Sequence, residues 1–361
     1  MRKIISIIVS IFIITFLCLF IFLPKSKFSE NENRYLKSSP VLNFKNFFNR
    51  RFQDDLSVYF SDHFPFREKF LSFKSRVDYR LGITRINDVY YGVDNSLLEE
   101  YKKPKNSERI VNIVNKFYEN NNVDIDFMLV PTSIYVNRFK IDIDNLSYDE
   151  MDTIKYFKEN LDVNFIDVSN TLVKHNSEYI YYNSDHHWTS LGSYYAYLEY
   201  CKNKGIDCNK KVKFETVSRD FYGTLYSKIL DNSIQMDYLE KDKSNGNYDI
   251  EIDGKKGSLY DESYLKKKDK YSYFLGGNHG IITIKNKTID NCKTILVIKD
   301  SYANCFIPFL IKNYSNVIVI DPRYYNKSIS TLIEDNDVNN ILFLYNVITI
   351  DDDLGILSIN R

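Results

Sequence analysis

Residues 294–299 read Thr-Ile-Leu-Val-Ile-Lys, an almost entirely apolar run that leads into Asp300-Ser301. A strand without polar alternation is typical of a parallel sheet that is covered on both faces. Two further apolar runs of this kind follow at 317–320 and 341–345. Strands that alternate with helices imply a parallel sheet with right-handed crossovers. The sequence therefore predicts an α/β domain with these three strands adjacent and parallel.

The same rhythm extends back to about residue 105, so we assign 105–361 to the α/β domain. The remaining helices and strands are predicted from their periodicity and apolar runs: helices at Ile110–Tyr118, Met151–Asn160 and Thr189–Tyr200, and strands at Asp124–Val130 and Val163–Val168. The stretch 209–270 is richer in Lys, Asp and Ser, which indicates a possible insertion with less regular structure.

Residues 1–24 predict a transmembrane signal anchor. Ile4–Leu23 carries 20 consecutive residues without a charge, enough for a helix of about 30 Å, the thickness of the hydrocarbon core. The basic Arg2 and Lys3 should stay in the cytoplasm, so the rest of the chain is expected outside it. The alternative is a cleaved signal peptide, but Leu23–Lys27 offers no small-residue cleavage pattern. We therefore expect a single-pass protein of the cell membrane.

Residues 25–104 are expected to form a juxtamembrane linker and a helical N-terminal extension. The linker, up to about residue 40, is polar and lacks periodicity. From Phe44 to Gly82, aromatic and charged residues recur at roughly helical spacing, with an interruption at Asp62–Arg67. This pattern favours an amphipathic helical pair.

Overall composition narrows the function classes. The chain has 48 basic and 48 acidic residues, so a protein that coats nucleic acid is disfavoured. Aromatic residues make up 16%, which fits either codon bias or sugar-stacking surfaces. The five cysteines form no CxxC pair, so a zinc knuckle is not expected. Cys201 and Cys208 could pair in an oxidising compartment; the other interpretation is that all five are free thiols.

Two segments carry the chemistry. The first contains Asp185-His186-His187-Trp188, and the second contains Ser301 at the tip of the 294–299 strand. In open α/β sheets, ligands bind at the carboxyl ends of the strands, which is where a nucleophile belongs. A serine hydroxyl needs a base to take its proton, and histidine can do so near neutral pH. A carboxylate on the other ring nitrogen fixes the tautomer, so we predict Asp185, His187 and Ser301 as catalytic residues.

Two other interpretations are open for these residues. Asp185, His186 and His187 could bind a metal ion, although adjacent histidines reach one metal only from a special loop. We predict no metal and no cofactor. Ser301 could instead be part of a helix cap, because Asp-Ser after a strand commonly caps a helix.

The motifs resemble those of the DHHW family of bacterial envelope proteins, which is similar to the AlgJ and AlgX alginate O-acetyltransferases of the SGNH hydrolase superfamily. The resemblance covers most of residues 50–350. Five motifs occur in the right order: Asp62–Arg67, Asp185–Gly192, Gly276–Asn278, Lys299–Asn304 and Asp321–Tyr324. It implies an SGNH-hydrolase-like three-layer α/β/α fold with a mainly parallel sheet and a serine-dependent acyl transfer or ester cleavage.

The resemblance also implies roles for single residues. The D-x-H pair falls on Asp185 and His187, and the serine falls on Ser301. Oxyanion donors are expected from the Gly277 N–H and the Asn278 amide, beside the Ser301 N–H. One departure concerns Lys299, which stands where SGNH enzymes usually have glycine and should narrow or reshape the pocket.

Four more residues are predicted to contact substrate: His186, His279, Tyr302 and Arg323. Arg323 follows a strand at its carboxyl end and could bind a uronate or another anion bidentately; its alternative is an ion pair with Asp300 or Asp321.

The sequence thus predicts a membrane-anchored O-acetyltransferase for a cell-envelope or exported polysaccharide, with an acyl-Ser301 intermediate. One span cannot carry acetyl groups across the bilayer, so a multi-span acyltransferase is the expected partner. The alternatives are a carbohydrate acetylesterase with the same triad and an inactive glycan-binding or scaffold subunit of a polysaccharide export complex.

Overall fold

The computed structural model describes residues 2–141, 148–208, 211–244 and 246–360. The chain forms two compact units. The first comprises residues 1–87 and 226–233, and the second comprises 88–225 and 234–361.

The first unit is mainly helical: α1 (Arg2–Phe22), β1 (Phe28–Ser29), β2 (Arg34–Tyr35), α2 (Phe44–Phe48), α3 (Arg51–Asp62), α4 (Arg67–Arg80) and β3 (Arg85–Ile86). The break between α3 and α4 lies at the predicted interruption, and the helical pair is therefore confirmed. Among the described residues, only Lys3–Phe22 in α1 is long and apolar enough to cross a membrane, a criterion that a signal sequence also meets.

The second unit is a mixed α/β structure. Its first half contains β4 (Val89–Tyr91), β5 (Leu97–Glu99), α5 (Ser107–Asn120), β6 (Asp124–Val130), α6 (Ser133–Val136), α7 (Glu150–Asn160), β7 (Asn164–Phe165), α8 (Ser169–Lys174) and α9 (Ser190–Lys204). Its second half contains β8 (Phe214–Phe221), β9 (Asp237–Asp242), β10 (Tyr248–Ile252), β11 (Lys255–Lys256), β12 (Ile281–Asn286), β13 (Thr294–Lys299), α11 (Ile307–Leu310), β14 (Asn316–Ile320), α12 (Ile329–Asp335), β15 (Asn340–Asn346) and α13 (Thr349–Asp352). Helix α10 (Thr224–Ile229) has residues in both units. Short 3₁₀ helices cover Arg138–Lys140, Glu262–Lys266, Tyr271–Tyr273, Ser301–Cys305 and Ile356–Ser358.

An eight-stranded sheet organises this unit, in the order β11-β10-β12-β14-β13-β15-β6-β7. The five strands from β14 to β7 pair in parallel, and β12, β10 and β11 extend the sheet in antiparallel pairings. Strand β13 lies between β14 and β15, as the three apolar runs predicted. The carboxyl ends of the parallel strands consequently meet at one edge, with Ser301 there.

The apolar runs are continuous because both faces of the sheet are covered. Along β13, Ile295 and Val297 join one buried cluster, and Leu296 and Ile298 join another. The first cluster includes Tyr194, Tyr197 and Tyr200 from α9, and the second includes Ile110, Val114 and Phe117 from α5. Alternate side chains of a strand point to opposite faces, so every position of β13 must be apolar or paired.

Two segments differ from their predicted setting. Residues 88–104 lie in the second unit, whereas the sequence grouped them with the N-terminal extension. Their hairpin is well buried, with Val89 and Leu98 both 0% exposed, which explains why it belongs to the larger core. The stretch 209–270 is more regular than expected, since it contributes the antiparallel β8–β9 pair and two strands of the large sheet. Cys201 and Cys208, with Cα atoms 6.0 Å apart, are joined as a disulfide.

Candidate functional site

Ser301 begins the 3₁₀ helix that follows β13, and Asp300 caps that helix. Asp300 Oδ1 accepts a hydrogen bond from the Tyr302 N–H at 2.8 Å. Its Oδ2 accepts from the backbone N–H and the side-chain amide of Asn346, at 2.9 and 2.7 Å. Asn346 ends β15, so Asp300 joins the turn that carries Ser301 to the neighbouring strand. The capping role therefore belongs to Asp300 and leaves the Ser301 hydroxyl available.

The Asp-His-His-Trp segment is fixed against this turn by two hydrogen bonds. Trp188 is fully buried, and its Nε1 donates to the carbonyl oxygen of Tyr302 at 2.9 Å. In return, the Tyr302 hydroxyl donates to the carbonyl oxygen of His186 at 2.5 Å. Thr189 caps α9 by accepting a hydrogen bond from the Gly192 N–H. The two hydrogen bonds of Trp188 and Tyr302 fix the position of the Asp-His-His-Trp segment relative to the turn that carries Ser301.

This arrangement brings Asp185, His187 and Ser301 together. His187 Nε2 lies 2.8 Å from Ser301 Oγ, across 114 residues of sequence. His187 Nδ1 lies 2.5 Å from Asp185 Oδ1, which also accepts from the His187 backbone N–H at 3.0 Å. Asp185 and His187 are buried, at 2% and 5% exposure. The geometry is that of a nucleophile, a base and a carboxylate that orients the base.

The other carboxylate oxygen of Asp185 is anchored by Thr224. Asp185 Oδ2 accepts from the Thr224 N–H at 2.8 Å and from its hydroxyl at 3.1 Å. Gly223 makes this approach feasible, since a Cβ at that position would lie 2.2 Å from Asp185 Oδ2. The segment 223–224 therefore fixes the carboxylate that holds the His187 ring.

Burial and charge set the protonation states of the pair. Burial alone would raise the pKa of Asp185, but the nearby His187 and His186 and the hydrogen bonds from His187 and Thr224 lower that pKa below its usual range. Burial, and next the charge of His186, lower the pKa of His187 below its ordinary value. At neutral pH, Asp185 is therefore ionised and His187 is neutral, which is the state in which His187 can accept a proton.

The imidazole ring of His187 is also held by stacking. The Tyr271 ring lies parallel to it, with the centroids 3.7 Å apart and the planes at 11°. The Tyr271 hydroxyl donates to the carbonyl oxygen of Ser301 at 3.0 Å. Tyr271 is buried, so it links the His187 ring to the turn at Ser301 from inside the protein.

His186 lies beside the triad and is directed elsewhere. Its Nδ1 is 2.6 Å from Thr224 Oγ1, and its ring centroid is 3.8 Å from that of His187. In the described part of the chain, the ligand atoms of Asp185, His186 and His187 form one cluster within 4.8 Å that could hold a metal ion. In this geometry both ring nitrogens of His187 already have partners, Asp185 and Ser301.

The two predicted oxyanion donors differ in the structure. The Gly277 N–H donates to the carbonyl oxygen of Phe274 at 3.1 Å, so it is engaged in a turn and is not directed at an oxyanion. The Asn278 side chain binds through its oxygen: Oδ1 accepts from Lys299 Nζ at 2.8 Å and from Asn304 Nδ2 at 3.3 Å. Of the two, Asn278 is therefore the candidate donor, through its amide nitrogen.

The remaining predicted substrate contacts are corrected in part. Tyr302 is 0% exposed and cannot touch a ligand, because its ring lies between the two site segments. The guanidinium of Arg323 is occupied by Asp321, with its Nε and Nη2 at 2.8 and 2.6 Å from that carboxylate, so the ion-pair alternative describes it. His279 lies near the surface and contacts Asp253 and the carbonyl oxygen of Gly276, at 3.0 and 3.1 Å.

Sequence reasoning missed several residues that shape the site. Asp237 Oδ2 accepts from the N–H and hydroxyl of Ser184, and the Gly223 N–H in turn donates to the Ser184 hydroxyl. Tyr271 and Thr224 were missed as well. These residues come from the stretch assigned to an irregular insertion or from just after it. The single glycine at 223 was the one signal of a close backbone approach.

Several known proteins are similar to this chain. A family model described as "DHHW protein" matches residues 79–320. A DHHW family protein from Eubacterium siraeum has 23% identity and a TM-score of 0.66, covering 76% of this chain and 96% of its own. PatB1 of Bacillus cereus, solved with a sulfonyl adduct, has 21% identity and a TM-score of 0.63, covering 74% and 97%. The O-acetyltransferase domain of Pseudomonas putida AlgJ has 12% identity and a TM-score of 0.45, covering 74% and 94%. Among curated proteins, none matches significantly.

Proposed function

This chain belongs to the DHHW family, and from that premise we propose that it is a serine-dependent O-acetyltransferase of a cell-envelope or exported polysaccharide. The observation that carries the proposal is the 2.8 Å contact between His187 Nε2 and Ser301 Oγ, with Asp185 on the other ring nitrogen. The two segments are far apart in sequence, and many buried contacts hold them in this register. A serine with a purely structural role would not require a buried histidine and carboxylate in line with its hydroxyl.

The proposed reaction has two half-reactions. Ser301 Oγ attacks the carbonyl carbon of an acetyl donor while His187 Nε2 takes the hydroxyl proton. The tetrahedral oxyanion collapses, and the leaving group departs with the proton from His187, which leaves acetyl-Ser301. A sugar hydroxyl then attacks the acetyl carbon and gives its proton to His187. Collapse of the second oxyanion returns that proton to Ser301 Oγ and releases the O-acetylated glycan.

Location follows from the N-terminal helix. We propose that Lys3–Phe22 is an uncleaved anchor and that the α/β unit works outside the cytoplasm. The polysaccharide is then the acceptor, and a multi-span membrane acyltransferase is the partner that delivers acetyl groups through the bilayer. The disulfide between Cys201 and Cys208 supports an oxidising compartment.

The test begins with covalent trapping of the reactive serine as a sulfonyl ester. Incubation with phenylmethylsulfonyl fluoride and peptide mass analysis should place the adduct on Ser301, and Ser301→Ala should carry none. Acetylated glycan should then appear only when p-nitrophenyl acetate and an acceptor glycan are both present. Release of acetate with no transfer to any glycan would favour the esterase instead. Failure of the wild-type chain to be trapped or to turn over would favour a binding or scaffold subunit.

A further inference from the structure

The ammonium of Lys299 is completely buried two residues before Ser301. Lys299 Nζ donates to Asn304 Oδ1 at 2.7 Å and to Asn278 Oδ1 at 2.8 Å, and Asp321 Oδ2 lies 3.8 Å away. A charged group is costly to remove from water unless it is paired and hydrogen-bonded. Two amide oxygens and a carboxylate satisfy this requirement, so these groups stabilise the buried ammonium of Lys299.

The ammonium determines which way the two amides face. A lysine side chain has three donors and no acceptor, so only oxygen atoms can face it. Asn278 Oδ1 faces the ammonium and also accepts from Asn304 Nδ2 at 3.3 Å. The amide nitrogen of Asn278 is consequently directed away from Lys299. Charge, and not packing alone, fixes this orientation.

We propose that Lys299 is a positioning residue that orients and polarises the Asn278 amide, so that Asn278 Nδ2 donates to the oxyanion formed on Ser301. This inference rests on the proposed function. A donor that is already fixed requires no reorganisation when charge develops. A cation on the amide oxygen also strengthens the N–H on the same group through hydrogen-bond cooperativity.

The charge state of Lys299 agrees with this role. Burial, and next the charge of Arg323, lower the pKa of Lys299 to about 8. The charges of Asp321 and Asp300 oppose that effect. The ammonium therefore predominates at neutral pH and is lost above about pH 8. Arginine keeps its charge throughout this range, so Lys299→Arg separates the charge from the side chain's shape.

The experiment measures single-turnover acylation by p-nitrophenyl acetate together with thermal unfolding. Lys299→Met and Asn278→Ala should each slow acylation by about 10²-fold, the effect of one oxyanion donor. The double variant should be no slower than Asn278→Ala, because Lys299 acts through Asn278. The control is Lys204→Met, which removes another lysine paired with a buried aspartate, Asp126, at 2.8 Å; acylation should be unchanged.

Two variants guard against a merely structural effect. Asn278→Asp keeps an oxygen for the ammonium but removes the NH₂ donor, so it should fold and still lose about 10²-fold in acylation. Lys299→Arg, where folded, should not lose acylation rate between pH 8 and 9 as the wild type does. Losses that add in the double variant, or wild-type acylation by Asn278→Asp, would overturn the inference. A wild-type chain that releases no nitrophenol would overturn the proposed function and this inference with it.

Discussion

The indole nitrogen of Trp188 donates to the backbone carbonyl of Tyr302 at 2.9 Å, which joins the residue after His187 to the residue after Ser301. This bond spans the same 114 residues as the contact between His187 and Ser301. A one-residue shift in either segment would break both. The distance between His187 and Ser301 is therefore set in part by a buried hydrogen bond to which neither residue contributes a side chain.

Trp188→Phe should weaken both stability and acylation. The substitution removes the donor to the Tyr302 carbonyl, and a buried acceptor without a good partner costs about 1–3 kcal/mol. The matched control is Tyr197→Phe, which removes a buried hydroxyl that donates to Asn313 Oδ1 at 2.6 Å in the same unit. The unfolding temperature should fall in both variants, whereas the acylation rate should fall only in Trp188→Phe. Equal acylation in the two would contradict the positioning role.

The triad predicts a hierarchy of losses. Ser301→Ala should abolish acylation and leave stability within about 0.5 kcal/mol, since a surface-edge hydroxyl contributes little. His187→Ala should lose nearly as much activity, because triad members act as a unit. His186→Ala should lose less than about 10²-fold, the lower limit for a general base. If His186→Ala were inactive and His187→Ala active, His186 would be the base. If neither variant lost activity and zinc co-purified with the protein, the metal-site interpretation would be favoured.

Acylation should depend on pH through His187. Only the neutral imidazole accepts a proton, and burial and the charge of His186 lower its pKa. The acid limb of the pH–rate profile should therefore lie below about pH 6.5, the ordinary value. His186→Gln removes the repelling charge, so the pKa of His187 should rise and the limb should move to higher pH. A limb that stays fixed in this variant would show that another group titrates.

Gly223→Ala should impair activity more than stability. The new Cβ would lie 2.2 Å from Asp185 Oδ2, so the carboxylate must move away from Thr224 and His187. The control is Gly205→Ala, at a helix end with φ +62° and open space around the Cβ, where backbone strain costs about 1–2 kcal/mol. Gly205→Ala should lower the unfolding temperature and retain acylation. Retained acylation in Gly223→Ala would show that the Asp185 contact tolerates displacement.

The N-terminal helix predicts an extracytoplasmic carboxyl terminus. Alkaline phosphatase fused after Arg361 should be active, and a cytoplasmic fluorescent reporter at the same position should be dark. Carbonate washing should leave the fusion in the membrane pellet if the helix is an uncleaved anchor. Release into the soluble fraction with a shortened amino terminus would identify a cleaved signal peptide, and an active cytoplasmic reporter would refute the topology.

The parallel strands of the core could be predicted from sequence because each is specified by its own short run of residues. Strands β6 and β13 have the predicted bounds, since β13 is buried throughout and β6 is buried from its second residue to its carboxyl end. Strand β10 was missed although Tyr248, Ile250 and Ile252 alternate with acidic residues, because the surrounding charge and Ser content suggested an irregular insertion. Alternation was the stronger signal there.

The site was only partly readable for a different reason. Asp185, His187 and Ser301 stand in motifs, whereas Thr224 and Tyr271 act through contacts that no local pattern specifies. Tyr302 shares the serine motif, yet its full burial depends on Trp188 and His186 from another segment. Proximity in sequence to a nucleophile thus did not imply contact with a ligand.

The strand order also sets the sequence in which the active protein can be assembled. Strand β15 is the last to be synthesised, and it pairs with both β13 and β6, so it joins the two halves of the sheet. Until Asn346 has emerged, Asp300 lacks the two hydrogen bonds that Asn346 donates to its Oδ2, and the turn at Ser301 is not joined to the neighbouring strand. In the proposed topology the segments nearest the anchor leave the cytoplasm first, so the Asp185–Trp188 segment emerges early and the surroundings of Ser301 are completed last. The proposed acyl transfer would therefore begin only after β15 has paired with β13 and β6, so incompletely folded chains would be inactive.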